Sequence, residues 1–494
     1  TRCLSDWSSD VCSSDLIWDG REHYRFHRVI FQYAHEELDE KNLETNQLVK
    51  RHTDHFGSRL MEDYAHSAGD GFRVFLQNTL AYLPDILAAV RVQVTTQNDD
   101  QAKKLVEALY AFYEGLSLFR EGSRDLFELA RIAGENNPIR AMLLARVSSL
   151  LISTHQYEKA DEALESAIKI AQENGNQAEL GFCLNVLSKK AALKKSSSLS
   201  LEYAKKALEI AQAMGDKKEE AHSLYNIGYA LTNLSEITKA EQALESCRKI
   251  CEEQKDWRRL AKVLNVMADT ACHRGYFTEA LSYYDEAIKI AISLGNKYTQ
   301  SLILNNIGTA YFSIDKYKEA EEAYTKSLEL CREIDDREGE AIAFSNLGEL
   351  FAEIKDFKKG AEFNQQALVI SREIGSDWGE MSARVILAIC YHELGNIPAA
   401  RQEVITVLQR SLELEFIYFF NRAVVEACKL LLVRGITQGL RDVIAVITED
   451  EESDDWVRDQ AKEVLDSLPH SDMPLQALQG RREIRDFLVS ALNS

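Results

Sequence analysis

Apolar residues recur at helical spacing along this chain. In the segment from Tyr276 to Ile292, the apolar residues that recur at helical spacing are Phe277, Ala280, Leu281, Tyr284, Ala287, Ile288 and Ala291. Residues at this spacing share one face of an α-helix, which indicates amphipathic helices. Glycine and proline are scarce, with 23 and 5 residues among 494. A chain so poor in turn-forming residues is predicted to be helical throughout.

Small residues recur every 40 positions in three separate series. The first series is Ala160, Ser200, Ala240, Ala280, Ala320, Gly360 and Ala400. The second is Ser148, Ser188, Gly228, Ala268, Gly308, Gly348 and Ala388. The third, at the end of each unit, is Gly175, Gly215, Gly295 and Gly375. Small side chains let two helices cross at the short end of the usual distance of about 8–10 Å, so each unit is predicted to be a helical hairpin.

Several segments of these units resemble tetratricopeptide repeats. The residues that carry the resemblance are LYNIGYALTNLSEITKAEQALE (224–245), LNNIGTAYFSIDKYKEAEEAYTKSLEL (304–330) and FSNLGELFAEIKDFKKGAEFNQQAL (344–368). The unit is about six residues longer than the 34-residue consensus. The resemblance implies an all-α, right-handed superhelix of about seven hairpins over residues 139–416, with a C-terminal helical cap over 417–494.

The residues before the repeats resemble the junction of STAND signal-transduction ATPases of the NB-ARC type. The segments concerned are YRFHRVIFQYAHEEL (24–38) and KRHTDHFGSRLMEDYA (50–65). In that family a histidine that closes a winged helix senses the nucleotide, and His27 matches it, with Phe26 and Arg28 where Met and Asp would stand. The expected organisation is therefore the end of a winged-helix module over 17–40 and a helical linker over 41–138.

Residues 1–16, TRCLSDWSSDVCSSDL, begin without Met and have no helical or strand period. They resemble a translated sequencing adapter, and an ordinary polar tail is the alternative. If they are an adapter, we expect that the nucleotide-binding domain has been lost upstream. No Gly-x-x-x-x-Gly-Lys-[Ser/Thr] loop occurs in the chain, so nucleotide hydrolysis by these 494 residues is not predicted, although the missing part would be an ATPase.

Composition narrows the function further. The chain has 58 Lys and Arg against 79 Asp and Glu, a net charge of −21, which disfavours direct nucleic-acid binding. Nine cysteines without a Cys-x-x-Cys pair predict reduced thiols in the cytoplasm. The chain contains no run of about 18 apolar residues, so no membrane span is predicted. Neither Gly-x-Ser-x-Gly nor His-Glu-x-x-His occurs, so the chain is predicted to be neither an enzyme nor a cofactor or metal protein.

Polar residues at equivalent repeat positions form the candidate binding site. In tetratricopeptide proteins the residue two before the small residue faces the concave surface, and here it is Asn226, Asn306 and Asn346. Asn265 and Asn305 lie one residue earlier in their repeats, and the next turn carries Tyr229, Asp269, Thr309 and Glu349. Amide groups both donate and accept, so they can hold an extended peptide. The alternative is that these amides hydrogen-bond between neighbouring helices.

The predicted partner is a protein or extended peptide that is neutral or basic rather than acidic. The reason is that the groove carries mainly neutral and acidic side chains, with Lys189 and Lys262 as its isolated cations. A small inducer is an alternative ligand. The predicted function is the sensor arm of a STAND-type regulator. The alternatives are a free-standing tetratricopeptide scaffold and, from another class, an enzyme that hydrolyses nucleotide through an unrecognised site.

Overall fold

A computed structural model describes residues 16–18, 24–26, 42–67, 71–95, 99–135, 137–194, 196–450, 453, 455–468 and 480–494. The first two of these segments form a short antiparallel pair, β1 (Leu16–Trp18) and β2 (Tyr24–Phe26), with Leu16 opposite Phe26. All remaining elements in the described part are helices, 23 in number, which confirms the all-α prediction. His27 and residues 1–15 lie outside the described residues.

Among the described residues, five helices precede the repeats and form what we call the N-terminal bundle. They are α1 (Asn42–Ala65), α2 (Gly71–Ala81), α3 (Leu83–Thr95), α4 (Asp99–Gly115) and α5 (Phe119–Ile132). Helix α4 contributes much of the core of this bundle, because Leu105, Val106, Leu109 and Phe112 are all fully buried. Its apolar side chains belong to the same core as those of the first repeats.

Seven helical hairpins follow with the predicted period of 40 residues. Their helices are α6 (Pro138–Ile152), α7 (Tyr157–Glu173), α8 (Gln177–Leu193), α9 (Ser197–Met214), α10 (Lys217–Asn233), α11 (Ile237–Gln254), α12 (Trp257–His273), α13 (Phe277–Ser293), α14 (Lys297–Phe312), α15 (Tyr317–Glu333), α16 (Arg337–Glu353), α17 (Phe357–Glu373), α18 (Asp377–Glu393) and α19 (Ile397–Glu413). Even numbers from α6 to α18 mark the first helix of each hairpin. This confirms the predicted array of about seven hairpins.

A two-residue turn joins one hairpin to the next and recurs along the array. Gly215 ends α9 in the left-handed region, at φ +69°, where a side chain would be strained. The next residue, Asp216, caps α10, and its carboxylate accepts from the backbone N–H of Lys218 and Glu219 at 3.0 and 3.1 Å. Equivalent side-chain caps are Asn176, Asp256, Asn296, Asp336 and Ser376.

The second series of small residues lies where the two helices of a hairpin cross. A Cβ at Gly228 would lie 2.5 Å from the side chain of Leu244, and a Cβ at Gly308 would lie 2.5 Å from the ring of Tyr324. Both partners lie 16 residues further along, on the second helix of the same hairpin. The absence of a side chain therefore permits the close crossing that the sequence predicts.

Where the structure describes the C-terminal end of the array, four helices close it: α20 (Ile417–Val433), α21 (Leu440–Glu449), α22 (Asp455–Ser467) and α23 (Arg481–Asn493). They share one apolar core with α18 and α19, so the last hairpin does not expose its stacking face. In the segments that the structure describes, no helix is both long and apolar enough to cross a membrane.

Candidate functional site

The first helices of the hairpins line the inside of the curved array, which we call the inner face. His155 follows α6 in the first hairpin, and its imidazole contacts the carboxylate of Glu338 at the start of α16 in the sixth. The two residues are 183 positions apart, so the array must curve until its first and sixth hairpins meet. The first helices α6, α10 and α12 contact helix α4 of the N-terminal bundle through Arg146, Lys218 and Lys262, so the first helices lie on the inside of the curve.

The N-terminal bundle fills the inner face of the first four hairpins and reaches the start of α14 in the fifth. Lys218 of α10 contacts Glu107 of α4 at 3.0 Å, and Lys262 of α12 contacts Glu114 of α4 at 3.1 Å. Further along the array, the Asn296 amide donates to the carbonyl of Gly115 at 3.2 Å. This part of the groove therefore already holds a helix of the same chain.

Charge pairing stabilises the bundle in this position. Burial alone would raise the pKa of Glu107, but Arg146 and Lys218 together lower it to about 2. Burial opposes ionisation of Glu114 as well, yet Arg258, Lys262 and Lys189 hold its pKa well below the usual range. Both glutamates are therefore ionised at neutral pH, and their cations are engaged within the molecule.

The predicted asparagines form hydrogen bonds between successive hairpins. The Nδ2 of Asn226 donates to the Oδ1 of Asn185 at 3.1 Å. The Nδ2 of Asn306 donates to the Oδ1 of Asn265 at 3.2 Å, and the Nδ2 of Asn346 donates to the Oδ1 of Asn305 at 2.8 Å. These are the helix-to-helix contacts that the sequence allowed as an alternative. Two of these amides make further contacts, since the Asn306 Nδ2 also donates to Asp269 at 3.2 Å and the Asn185 Nδ2 donates to Ser223 at 3.0 Å.

Exposure divides the candidate residues into two groups. Asn226 and Asn265 are buried, and Tyr229 and Asp269 are partly buried beside the part of the array that the bundle fills. Nearer the C-terminus, Thr309 is exposed. The partly exposed candidates there are Asn305, Asn306, Asn346 and Glu349. The structure thus leaves the second group within reach of a ligand, on α14 and α16.

Asp269 lies between two hairpins and is tied to both. The Tyr284 hydroxyl of α13 donates to its carboxylate, and the Asn306 amide of α14 donates to it at 3.2 Å. Burial raises the pKa of Asp269 to about 6, although the hydrogen bond from Tyr284 acts in the opposite direction. Part of the Asp269 population is therefore protonated at mildly acidic pH.

Lys189 and Lys262 are not the isolated cations that the sequence suggested. Lys262 pairs with Glu114 across 148 positions, and the ammonium of Lys189 donates to Ser153 Oγ at 2.7 Å. Sequence reasoning missed this arrangement, since α4 gave no motif. The available signal was the spacing of Glu107 and Glu114, seven positions apart and hence on one face of a helix.

Sequence reasoning also missed two apolar side chains on the inner face. Leu302 and Ile342, in the fifth and sixth hairpins, occupy the position that Lys262 takes in the fourth, and their exposed fractions are 42% and 45%. No cluster of three or more His, Cys, Asp or Glu side chains suited to a metal ion was found among the described residues. The accessible surface thus combines amides, a hydroxyl and apolar groups.

Models of known families match parts of the chain. A model described as tetratricopeptide repeat matches residues 259–333 and 299–373, and a second model of that description matches residues 221–254. A model described as anaphase-promoting complex subunit 5 matches residues 135–192. The residues matched by the two tetratricopeptide models lie within hairpins that the structure shows.

Among curated proteins, tetratricopeptide repeat protein 29 of Macaca fascicularis is 25% identical over 241 residues, which cover 44% of this chain and 50% of that protein. The 43 kDa receptor-associated protein of the synapse of Tetronarce californica is 24% identical over 193 residues, 37% of this chain and 47% of that protein. The chain spans about half the length of the curated relatives it matches.

Among solved structures, the apo form of the quorum sensor NprR from B. thuringiensis aligns with a TM-score of 0.50 at 14% identity, covering 74% of this chain and 97% of that one. This likeness concerns the fold alone. Together with the family models, it shows that the chain contains tetratricopeptide repeats, at residues 221–254 and 259–373, within an α-solenoid.

Proposed function

We propose that this chain is a protein–protein interaction module whose inner face binds an extended protein segment on α14, α16 and α18. The observation that carries the proposal is the division of the inner face. The bundle fills the first four hairpins, while Thr309, Asn305 and Asn346 remain accessible beyond it. Stacked repeats create extended surfaces of this kind, which suit extended ligands.

The accessible residues suit a peptide backbone. Asn305 and Asn346 are joined to each other at 2.8 Å, so their carboxamides are fixed in orientation before a ligand arrives. Groups that are already ordered lose little conformational entropy on binding, which favours affinity. Of the residues predicted from the sequence, the proposal assigns ligand contact to Asn305, Asn306, Thr309, Asn346 and Glu349. It assigns a role between hairpins to Asn226, Tyr229, Asn265 and Asp269.

A selection from displayed peptides tests the proposal. The whole chain is immobilised, random peptides of about twelve residues are selected on it, and enriched peptides are then added during hydrogen exchange. We expect slower exchange in α14 and α16 and none of this protection in α15 and α17. Failure to enrich any peptide over the empty support, or protection confined to α15 and α17, would contradict the proposal.

In its finer form, the proposal makes the chain the sensor arm of a STAND-type regulator. It is supported by the resemblance of residues 24–38 and 50–65 to that family's junction. Residues 50–65 lie in α1, and the hydroxyl of Tyr64 in that helix is 3.5 Å from Lys218 Nζ on the inner face. Helix α1 therefore contacts the filled part of the inner face directly.

The upstream gene sequence distinguishes this form from a free-standing scaffold. A phosphate-binding loop and a winged helix in frame with Ile17 would support the sensor arm. A start codon directly before Trp18, with no such domain upstream, would contradict it and leave the scaffold. Nucleotide binding by this chain in calorimetry would favour the enzyme alternative.

A further inference from the structure

The accessible part of the inner face has apolar side chains at equivalent positions. Leu302 on α14 and Ile342 on α16 are 40 residues apart and lie six residues before the small residues Gly308 and Gly348. Their exposed fractions, 42% and 45%, are large for side chains on the inside of an array. Lys262, at the equivalent position of α12, contacts the bundle at 3.1 Å, which shows that this position faces inward.

The same surface carries negative charge. The inward positions of α14, α16 and α18 include Glu338, Glu349, Glu353 and Glu393 and contain no lysine or arginine. Glu338 pairs with His155, and Glu349 pairs with Arg422 of α20 at 3.0 Å. Glu353 and Glu393 are exposed, and no ion pair engages them within the described segments. The inner face of the first four hairpins has the opposite charge, since its cations contact Glu107 and Glu114 of α4.

The spacing of the hairpins fits an extended ligand. Neighbouring packed helices lie about 8–10 Å apart. A polyproline II segment rises about 3.1 Å per residue with three residues per turn, so residues i and i+3 point the same way about 9 Å apart. Two apolar residues at i and i+3 of such a segment can therefore reach Leu302 and Ile342 together.

We propose that this surface selects extended segments with apolar side chains at positions i and i+3 and with lysine or arginine beside them. The apolar pair packs on Leu302 and Ile342, and the cations approach Glu353 and Glu393. Opposite charge speeds the encounter and excludes acidic segments, while apolar burial supplies affinity. The inference rests on the proposed function and adds the chemistry of the partner.

Three labelled peptides test the inference by fluorescence anisotropy with the whole chain. The basic probe repeats Leu-Lys-Ser, the acidic probe repeats Leu-Glu-Ser, and the third probe repeats Ser-Lys-Ser. We expect the basic probe to bind at least about tenfold more tightly than either of the others. Its affinity should also fall as salt rises, because exposed charges are screened.

Substitutions locate the binding on the chain. Leu302→Asn with Ile342→Asn should weaken the basic probe by about tenfold or more, and Glu353→Lys by about threefold to tenfold. The matched controls are Ile292→Asn and Glu322→Lys, exposed residues of the second helices α13 and α15. These controls should leave affinity within about twofold of the parent, and thermal unfolding of every variant verifies that it is folded.

The outcomes separate this inference from the proposed function. Equal or tighter binding of the acidic probe would overturn the inference, as would an unchanged affinity in the Leu302 and Ile342 variant. Absence of basic-probe binding below about 1 mM would also overturn it. If selected peptides still protected α14 and α16 in that case, the proposed function would stand with a partner of other chemistry.

Discussion

Replacement of Gly308 tests the packing that defines the hairpins. A Cβ at this position would lie 2.5, 2.6 and 3.0 Å from three ring atoms of Tyr324, well inside van der Waals contact. The Tyr324 ring is nearly buried and is held at its far end, where its hydroxyl donates to Thr309 Oγ1 at 3.2 Å. The ring therefore has little freedom to move away.

The preceding hairpin sets the scale of the effect. There Ala268 occupies the position of Gly308, and Tyr284 occupies that of Tyr324, with both residues buried. A methyl group is thus compatible with a tyrosine after a small adjustment, so we expect Gly308→Ala to cost less than about 1 kcal/mol. Gly308→Leu should cost roughly 2–4 kcal/mol, from overpacking of about 1–3 kcal/mol and loss of the Tyr324 hydrogen bond.

Chemical denaturation and hydrogen exchange measure this difference. The Leu variant should lose protection first in α14 and α15, because each hairpin contacts only its neighbours. Gly134→Leu is the matched control, since no atom lies within 4 Å of a Cβ at Gly134, and its effect should stay within about 0.5 kcal/mol. The double variant Gly308→Leu with Tyr324→Ala should be more stable than the sum of its parts by about 1–3 kcal/mol.

Two results would refute this reasoning. One is a Gly308→Leu variant whose stability lies within about 0.5 kcal/mol of the parent. The other is strict additivity with Tyr324→Ala, because the proposed clash requires the two residues to be coupled. Either result would mean that the close crossing does not depend on the absence of a side chain at Gly308.

Three further substitutions test the electrostatics and the turns. Folding raises the pKa of Asp269 to about 6, so the folded protein favours the protonated carboxyl. The stability that this group contributes is therefore greatest below about pH 4 and is lost as pH rises towards about 6. The parent should therefore lose roughly 1–3 kcal/mol relative to Asp269→Asn between pH 4 and 7, measured by denaturation at each pH; a constant difference would contradict this. Glu415 is exposed with φ +58°, so Glu415→Gly should raise the unfolding free energy by about 0.5–1 kcal/mol in urea, and a decrease would count against strain there. Glu114→Gln leaves Arg258 and Lys262 without their carboxylate and should lower the melting temperature, with a loss of roughly 3–5 kcal/mol, whereas an unchanged melting temperature would exclude a role in holding the bundle.

Local signals in the sequence account for most of the array. The 40-residue series place Gly215 at the end of a helix, and the structure finds it in the left-handed region at φ +69°. In the region where the sequence predicts a C-terminal helical cap, 417–494, the structure shows helices that include Asp455–Ser467 and Arg481–Asn493. The helical period and the turn residues depend only on neighbouring positions, so both can be recognised in the sequence without knowledge of the tertiary structure.

The contents of the groove could not be predicted in the same way. Glu107 meets Lys218 across 111 positions, and Glu114 meets Lys262 across 148. Contacts of this separation depend on how the array curves, which no local pattern specifies. For the same reason the sequence left two roles open for Asn226, and its hydrogen bond to Asn185 emerges only when neighbouring hairpins are placed together.

The most direct measurement compares two matched double variants for affinity and thermal stability. One carries Asn305→Ala with Asn346→Ala in the accessible part of the inner face, and the other carries Asn185→Ala with Asn226→Ala in the filled part. With a peptide selected on the parent, the first should lose affinity by about fivefold to a hundredfold, from two hydrogen bonds of about 0.5–1.5 kcal/mol each. The second should keep its affinity and lose melting temperature, because Asn185 and Asn226 are buried. Unchanged affinity in the first variant, or weakened affinity in the second, would contradict binding on the accessible part of the inner face.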